Sequence, residues 1–218
     1  MTLSDLIPQL HYPTRLEKLV DGWVHGVALG LFTIAVFAAL GLAIWQGGLG
    51  MAAAVGVYAI CVITMIGCSM AYNLAENHKR KSLLRRFDHA AIFLMIAGTY
   101  TPFTLVGLRD SWGFTLFGVV WGLALAGVVF KLYFTGRFKG VSTLIFIGMG
   151  WLVLVAIKPM LDALSLATLG WLLAGGIAYT LGTLFYMAKQ WRYSHAIWHG
   201  FVLAGGACHF VAVFLHLV

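Results

Sequence analysis

Residues 22–45 read GWVHGVALGLFTIAVFAALGLAIW, an apolar run whose single ionisable side chain is His25. At about 1.5 Å per residue a helix of this length crosses the ~30 Å hydrocarbon layer of a bilayer. Six further stretches meet the same test: Gly50–Leu74, Phe87–Leu108, Trp112–Phe134, Val141–Ile157, Ser165–Ala188 and His195–Val218. The fifth is the shortest, and Lys158-Pro159 is expected to close it, since proline withholds a backbone donor. Of 218 residues, 61% are hydrophobic and 10% charged, against about 25% charged in a soluble domain. A water-soluble globule of this size cannot hide that much apolar surface, and intrinsic disorder is excluded for the same reason. The reading is an all-α, polytopic membrane protein, a seven-transmembrane-helix bundle forming one integral domain over residues 1–218, with the bundle over 22–218.

Residues 1–20 are expected to be a cytoplasmic or interfacial segment. They carry no apolar core of an export signal, and Leu3, Leu6, Ile7 and Leu10 repeat at helical spacing, as in a short helix lying on the membrane. Orientation follows from the basic residues. Arg15, Lys18, Lys79, Arg80, Lys81, Arg85, Arg86, Lys131, Arg137, Lys139, Lys189 and Arg192 fall on one side, and only Arg109 and Lys158 on the other. Basic loops stay inside, so the amino terminus is expected in the cytoplasm, the carboxyl terminus outside, and the chain in the bacterial inner membrane. The net charge of +7 is therefore a topology signal and implies no nucleic acid; membrane lipids are the expected partners, with no soluble partner evident. Cys61, Cys68 and Cys208 lie in apolar stretches and read as small core residues. Gly118 and Gly122, and the cluster Ala174-Gly175-Gly176, suggest close helix contacts.

Ionisable groups inside a spanning helix are costly, and each marks a candidate site. With alternating helix directions, Asp21, His25, Ser69, Asn73, Asp88, His89, His195 and His199 all fall within the first turns of the cytoplasmic side, from four helices at one depth. His209 lies about 15 Å further along its helix, outside this layer, and His11, His78 and His216 carry no expected role. His195 and His199, at i and i+4, share a helix face and can reach one ion. Zinc is the natural candidate because it favours imidazole and needs no redox partner. A catalytic zinc takes three protein ligands; Asp88 is the best-placed third, with His25 and His89 as rivals. Ser69 and Asn73, also at i and i+4, are placed to support a ligand or a water, as are Asp21, His25 and His89. The plainer alternatives are that these groups stitch helices together, and that Asp88 merely caps the third helix.

The stretch Arg86-Phe87-Asp88-His89-Ala90-Ala91-Ile92 with Ile96-Ala97-Gly98-Thr99-Tyr100-Thr101-Pro102-Phe103 resembles the signature of the bacterial haemolysin III family, within the progestin and adipoQ receptor superfamily. The resemblance extends through Met149-Gly150-Trp151, residues 175–182, His195 to His199, and Cys208-His209-Phe210, and covers the chain from about residue 15. Glu17, Asp21 and His25 form an altered version of the family's first-helix pattern. The resemblance implies seven helices with a cytoplasmic amino terminus. It also implies a zinc site near that face, in a superfamily that includes alkaline ceramidases. Two ligands would be His195 and His199, and Asp88 would orient the attacking water. The family's third ligand is a second-helix histidine, and here that position is Asn73, so Asp88, His25 or His89 must complete the site if it forms. Two functions follow as expectations. One is a metal-dependent hydrolase of lipid amides or esters, with Asp88 and Ser69 catalytic. The other is a non-catalytic membrane-homeostasis or lipid-sensing protein with a structural polar or metal site. A pore-forming cytolysin or channel is disfavoured, because the outer half of the bundle offers few polar residues to line a conduit.

Overall fold

The structure is a computed structural model that describes residues 14–108, 111–188 and 191–217. The expected surface helix around Leu3–Leu10 lies outside them. Among the described residues there is no strand. The helices are α1 (Arg15–Gln46), α2 (Gly48–Leu74), α3 (His78–Pro102), α4 (Ser111–Phe134), α5 (Lys139–Gly150), α6 (Ile157–Ala163), α7 (Leu166–Met187) and α8 (Ser194–Leu217). With α5 and α6 forming one broken span, seven stretches are long and apolar enough to cross a membrane. Large apolar side chains point outward on every face, among them Ile34 at 71% exposure, Ile60 at 67% and Leu144 at 70%. Water would not tolerate such a surface, and lipid solvates it. The protein is an all-α, seven-span membrane protein.

Two helices begin earlier than their apolar stretches. Thr14 caps α1, its hydroxyl accepting from the Glu17 backbone N–H at 3.2 Å. Asp21 therefore sits inside the helix, one turn before His25. Asn77 caps α3, its side chain accepting from the N–H groups of Lys79 and Arg80 at 3.0 and 3.2 Å. The basic run before Phe87 is helical, and Asp88 lies well within α3, which removes the capping role expected for it.

The fifth span differs from expectation. It breaks after Gly150, passes through a tight 3₁₀ segment (Leu152–Ala156), and resumes as α6 through Lys158-Pro159 to Ala163. Pro159 falls in the first turn of α6, where its missing N–H has no intrahelical partner to lose, so it does not end the span. A break inside a membrane strands backbone groups. Tyr100 of α3 satisfies them: its hydroxyl sits 3.0 and 2.9 Å from the carbonyls of Met149 and Gly150, to which it donates, and accepts from the Val153 N–H at 3.0 Å. α3 itself ends in a π-turn over Phe103–Gly107 just past Pro102.

Helix α1 packs against α2 and α8, α2 against α3, α3 against α4, and α7 against α8. The α1–α2–α8 side holds the first candidate residues. Gly98 permits the close approach of α3 to α2, since a Cβ there would lie 2.5 Å from Cys61 Cβ. Gly175 likewise makes room for the His209 ring, and Gly176 faces Trp151. Gly118 and Gly122, by contrast, would meet nothing within 4 Å, so they do not serve helix packing within the chain. All three cysteines are free.

Candidate functional site

Three helices bring their polar residues together at one end of the bundle. On α1, Asp21 and His25 are spaced one turn apart and both are buried, Asp21 completely. On α2, Ser69 and Asn73 repeat the same i, i+4 spacing, and α8 contributes His199. The Asp21 carboxylate accepts from His199 Nδ1 at 2.6 Å. His25 Nδ1 lies 2.9 Å from the Asp21 carbonyl oxygen and 3.5 Å from its carboxylate. These oxygens can only accept, so both Nδ1 atoms carry the hydrogen and both Nε2 atoms carry the lone pair. The two imidazoles stand edge to face with centroids 4.4 Å apart.

The Nε2 lone pairs face α2. His25 Nε2 is 3.1 Å from the Ser69 hydroxyl, Asn73 donates its amide to the same hydroxyl oxygen at 3.2 Å, and His199 Nε2 is 3.5 Å from that amide nitrogen. The Asn73 carbonyl oxygen is buried with no hydrogen-bond partner, an expensive arrangement in an apolar interior. One ligand-type atom from each of Asp21, His25 and His199 lies within 4.8 Å of the other two.

That donor set suits a zinc-like ion. Imidazole nitrogens are preferred ligands, and a histidine that binds metal through one nitrogen usually donates the other N–H to a carboxylate or carbonyl. Here Asp21 receives both such N–H groups. The unsatisfied Asn73 oxygen beside them adds a further acceptor facing the same space.

Of the residues read from the sequence, Asp21, His25, Ser69, Asn73 and His199 form one contact chain. Asp88, His89 and His195 do not join the compact triad. They line a cavity whose wall also includes Ser69, Asn73 and His199. Asp88 pairs with His89 at 3.4 Å, and His89 Nδ1 donates to the Arg85 carbonyl at 2.8 Å. The ligand trio expected from spacing was His195, His199 and Asp88; the trio within 4.8 Å is Asp21, His25 and His199. The i, i+4 pair on α1 carries the same spacing signal as the pair on α8; His25 is among the ligands expected as rivals to Asp88, and Asp21 is expected only as a support.

The cavity runs inward from this polar end. Tyr72, Arg85 and Tyr186 join the polar wall, and Ile92, Ile96, Phe146 and Val202 line the part beyond. Arg85, by its loop position a topology charge, thus also faces the cavity. His209 reaches the cavity's deep part, where its Nε2 bonds the Leu172 carbonyl at 3.2 Å. It is thus separate from the polar layer, as its sequence position required.

The sequence profile of proteins described as haemolysin-III related matches residues 14–210. The chain is 39% identical to the hemolysin-3 homolog of Bacillus subtilis (strain 168) over 208 residues, covering 94% of this chain and 96% of that protein. It is 38% identical to hemolysin-3 of Bacillus cereus over 202 residues, covering 93% and 92%. It is also 23% identical to the human monocyte to macrophage differentiation factor over 146 residues, 63% of this chain and 60% of that protein. With the profile spanning residues 14–210 and two bacterial relatives covered over more than nine-tenths of their length, this seven-span chain belongs to the haemolysin-III related family.

Proposed function

We propose that the chain is a zinc-dependent hydrolase of ester or amide bonds in membrane lipids, working at the cytoplasmic end of a bundle whose amino terminus faces the cytoplasm of a bacterial inner membrane. The observation that carries this reading is the convergence of Asp21, His25 and His199 within 4.8 Å, beside a cavity whose wall beyond the polar layer carries Ile92, Ile96, Phe146 and Val202 among hydroxyl and aromatic side chains. His25 and His199 would hold the ion through Nε2, with Asp21 fixing both imidazoles in the required tautomer. A bound zinc supplies Lewis acidity and makes water acidic enough to react near neutral pH. Asp88, on the cavity wall, takes the proton of the attacking water as general base and returns it to the leaving group. Ser69 and Asn73 orient the water or the substrate carbonyl through hydroxyl and amide. His195, on the same wall, supplies a further imidazole toward the ion or the leaving group. Ile92, Ile96, Phe146 and Val202 receive an acyl chain and keep water from it.

A second reading has its own support. The bonds from Asp21 through His199, Asn73 and Ser69 to His25 join three helices, which suits a structural staple in a lipid-sensing protein without turnover. The two readings separate on one experiment. Purified protein in nanodiscs is offered fluorescent lipid amides and esters, with and without a zinc chelator. The hydrolase reading requires turnover that chelation abolishes, zinc restores and His199→Ala eliminates. Undiminished turnover in His199→Ala refutes it; no turnover in the wild type, with a chelator-dependent fall in melting temperature, leaves the staple.

A further inference from the structure

A second polar cluster lies beside this site, where α3 meets the α4–α5 turn. Lys131, in the last turn of α4, is 2% exposed. Among the described residues its ammonium has one hydrogen bond, to the Ser142 hydroxyl, which in turn donates to the Phe138 carbonyl at 3.0 Å. Arg85 reaches across from α3 to the same turn. Gly136, whose φ of +89 suits glycine, lies against it: a Cβ there would stand 3.4 Å from the guanidinium, at ordinary contact distance. Arg85 Nε is buried with no hydrogen-bond partner. Among the described residues neither cation has a carboxylate within 4.0 Å. The neighbouring carboxylate, Asp88, is engaged with His89. The charges of Arg85, Lys131 and Asp88 all act on the His89 ring, so the four groups share one electrostatic neighbourhood with an excess positive charge.

Two like charges held in a bundle with one nearby carboxylate to offset them, and that one not in contact with either, are costly. Snorkelling does not account for them. Arg86 and Arg137, on the same elements, are exposed and fill that role, whereas Lys131 is held inward. An arginine fork and a lysine ammonium, the latter held by the Ser142 hydroxyl, form a donor pair suited to a tetrahedral oxyanion. We propose that Arg85, on the cavity wall, and the buried Lys131 behind it, its ammonium positioned by Ser142, form a binding site for a phosphate group, filled by a lipid headgroup phosphate or by free phosphate. The site stands whether or not the neighbouring triad is catalytic.

The test uses full-length protein in a neutral detergent, titrated with phosphatidylglycerol, with diacylglycerol of the same chains, and with inorganic phosphate, read by thermal melting and native mass spectrometry. Stabilisation by phosphatidylglycerol over diacylglycerol identifies a lipid phosphate, and stabilisation by inorganic phosphate alone identifies a soluble anion; both support the site. Arg85→Gln and Lys131→Met each weaken binding by about tenfold or more, the worth of one charge-assisted bond, and exposed Arg86→Gln does not. Lys131→Met melts no lower than wild type in neutral detergent, because an apolar side chain of similar length relieves a buried charge. Should that variant not fold, Lys131→Arg must still bind while Arg85→Gln does not. Absence of any phosphate-dependent stabilisation, or equal loss in Arg86→Gln and Arg85→Gln, overturns the proposal.

Discussion

Replacing Asp21 by asparagine keeps the shape of the side chain and removes its charge. In the native site the carboxylate is fully buried, accepts from His199 Nδ1 at 2.6 Å and faces His25 Nδ1 at 3.5 Å. Asparagine can still accept from one imidazole, but its amide then presents a donor to a second N–H. At least one charge-assisted hydrogen bond is lost, about 1.5–3 kcal/mol. For a chain of this length each kcal/mol shifts melting by about 2–4 °C, so Asp21→Asn should melt about 3–12 °C lower. Losing a carboxylate that orients a ligating histidine lowers metal affinity by about 10–100-fold. Scanning fluorimetry of detergent-solubilised protein measures the first effect, and competition against a chromophoric zinc chelator the second. An Asp21→Asn protein that melts with the wild type and binds zinc equally well would refute the role assigned to this carboxylate.

Two further outcomes follow from the same contacts. Tyr100→Phe strips the broken fifth span of the hydroxyl that serves Met149, Gly150 and Val153; stability should fall by about 1–3 kcal/mol, read from the melting midpoint, and an unchanged midpoint would show that the break is satisfied otherwise. In the loop after α2, the Lys18 hydrogen bond at 2.8 Å holds the Glu76 carboxyl below its ordinary value of 4.5. A lowered carboxyl stabilises above its unfolded value and loses that contribution as pH falls through its folded value, so the small melting difference between wild type and Glu76→Gln should persist at neutral pH and shrink progressively as pH falls below 4.5.

The bundle was legible because lipid enforces a simple pattern: every spanning segment had to be a continuous apolar run. What escaped notice was polar and local. The starts of α1 and α3 depend on Thr14 and Asn77 caps outside the apolar windows. The fifth span outruns Pro159 because proline is harmless in a first helical turn, and its real break is tolerated only through Tyr100, a partner fifty residues away. The polar layer was visible as a shared depth, since depth follows from counting along alternating helices. Rotation about each helix axis was not, and rotation decides which residues meet. His25 therefore faces His199 at a centroid distance of 4.4 Å, while Asp88 and His195 stand on the cavity wall. The Arg85–Lys131 pair was hidden for a related reason: in a loop count, a buried lysine and a snorkelling one look alike.

Whether His25 and His199, oriented by Asp21, hold a metal ion decides the proposed chemistry. Elemental analysis of the purified full-length protein, beside His199→Ala and His25→Ala, tests it most directly. About one zinc per chain is expected in the wild type, as for a single catalytic or structural site, with most of it lost in either variant. Wild-type protein without zinc above the buffer level after incubation with the metal, or variants that retain the full complement, would contradict it.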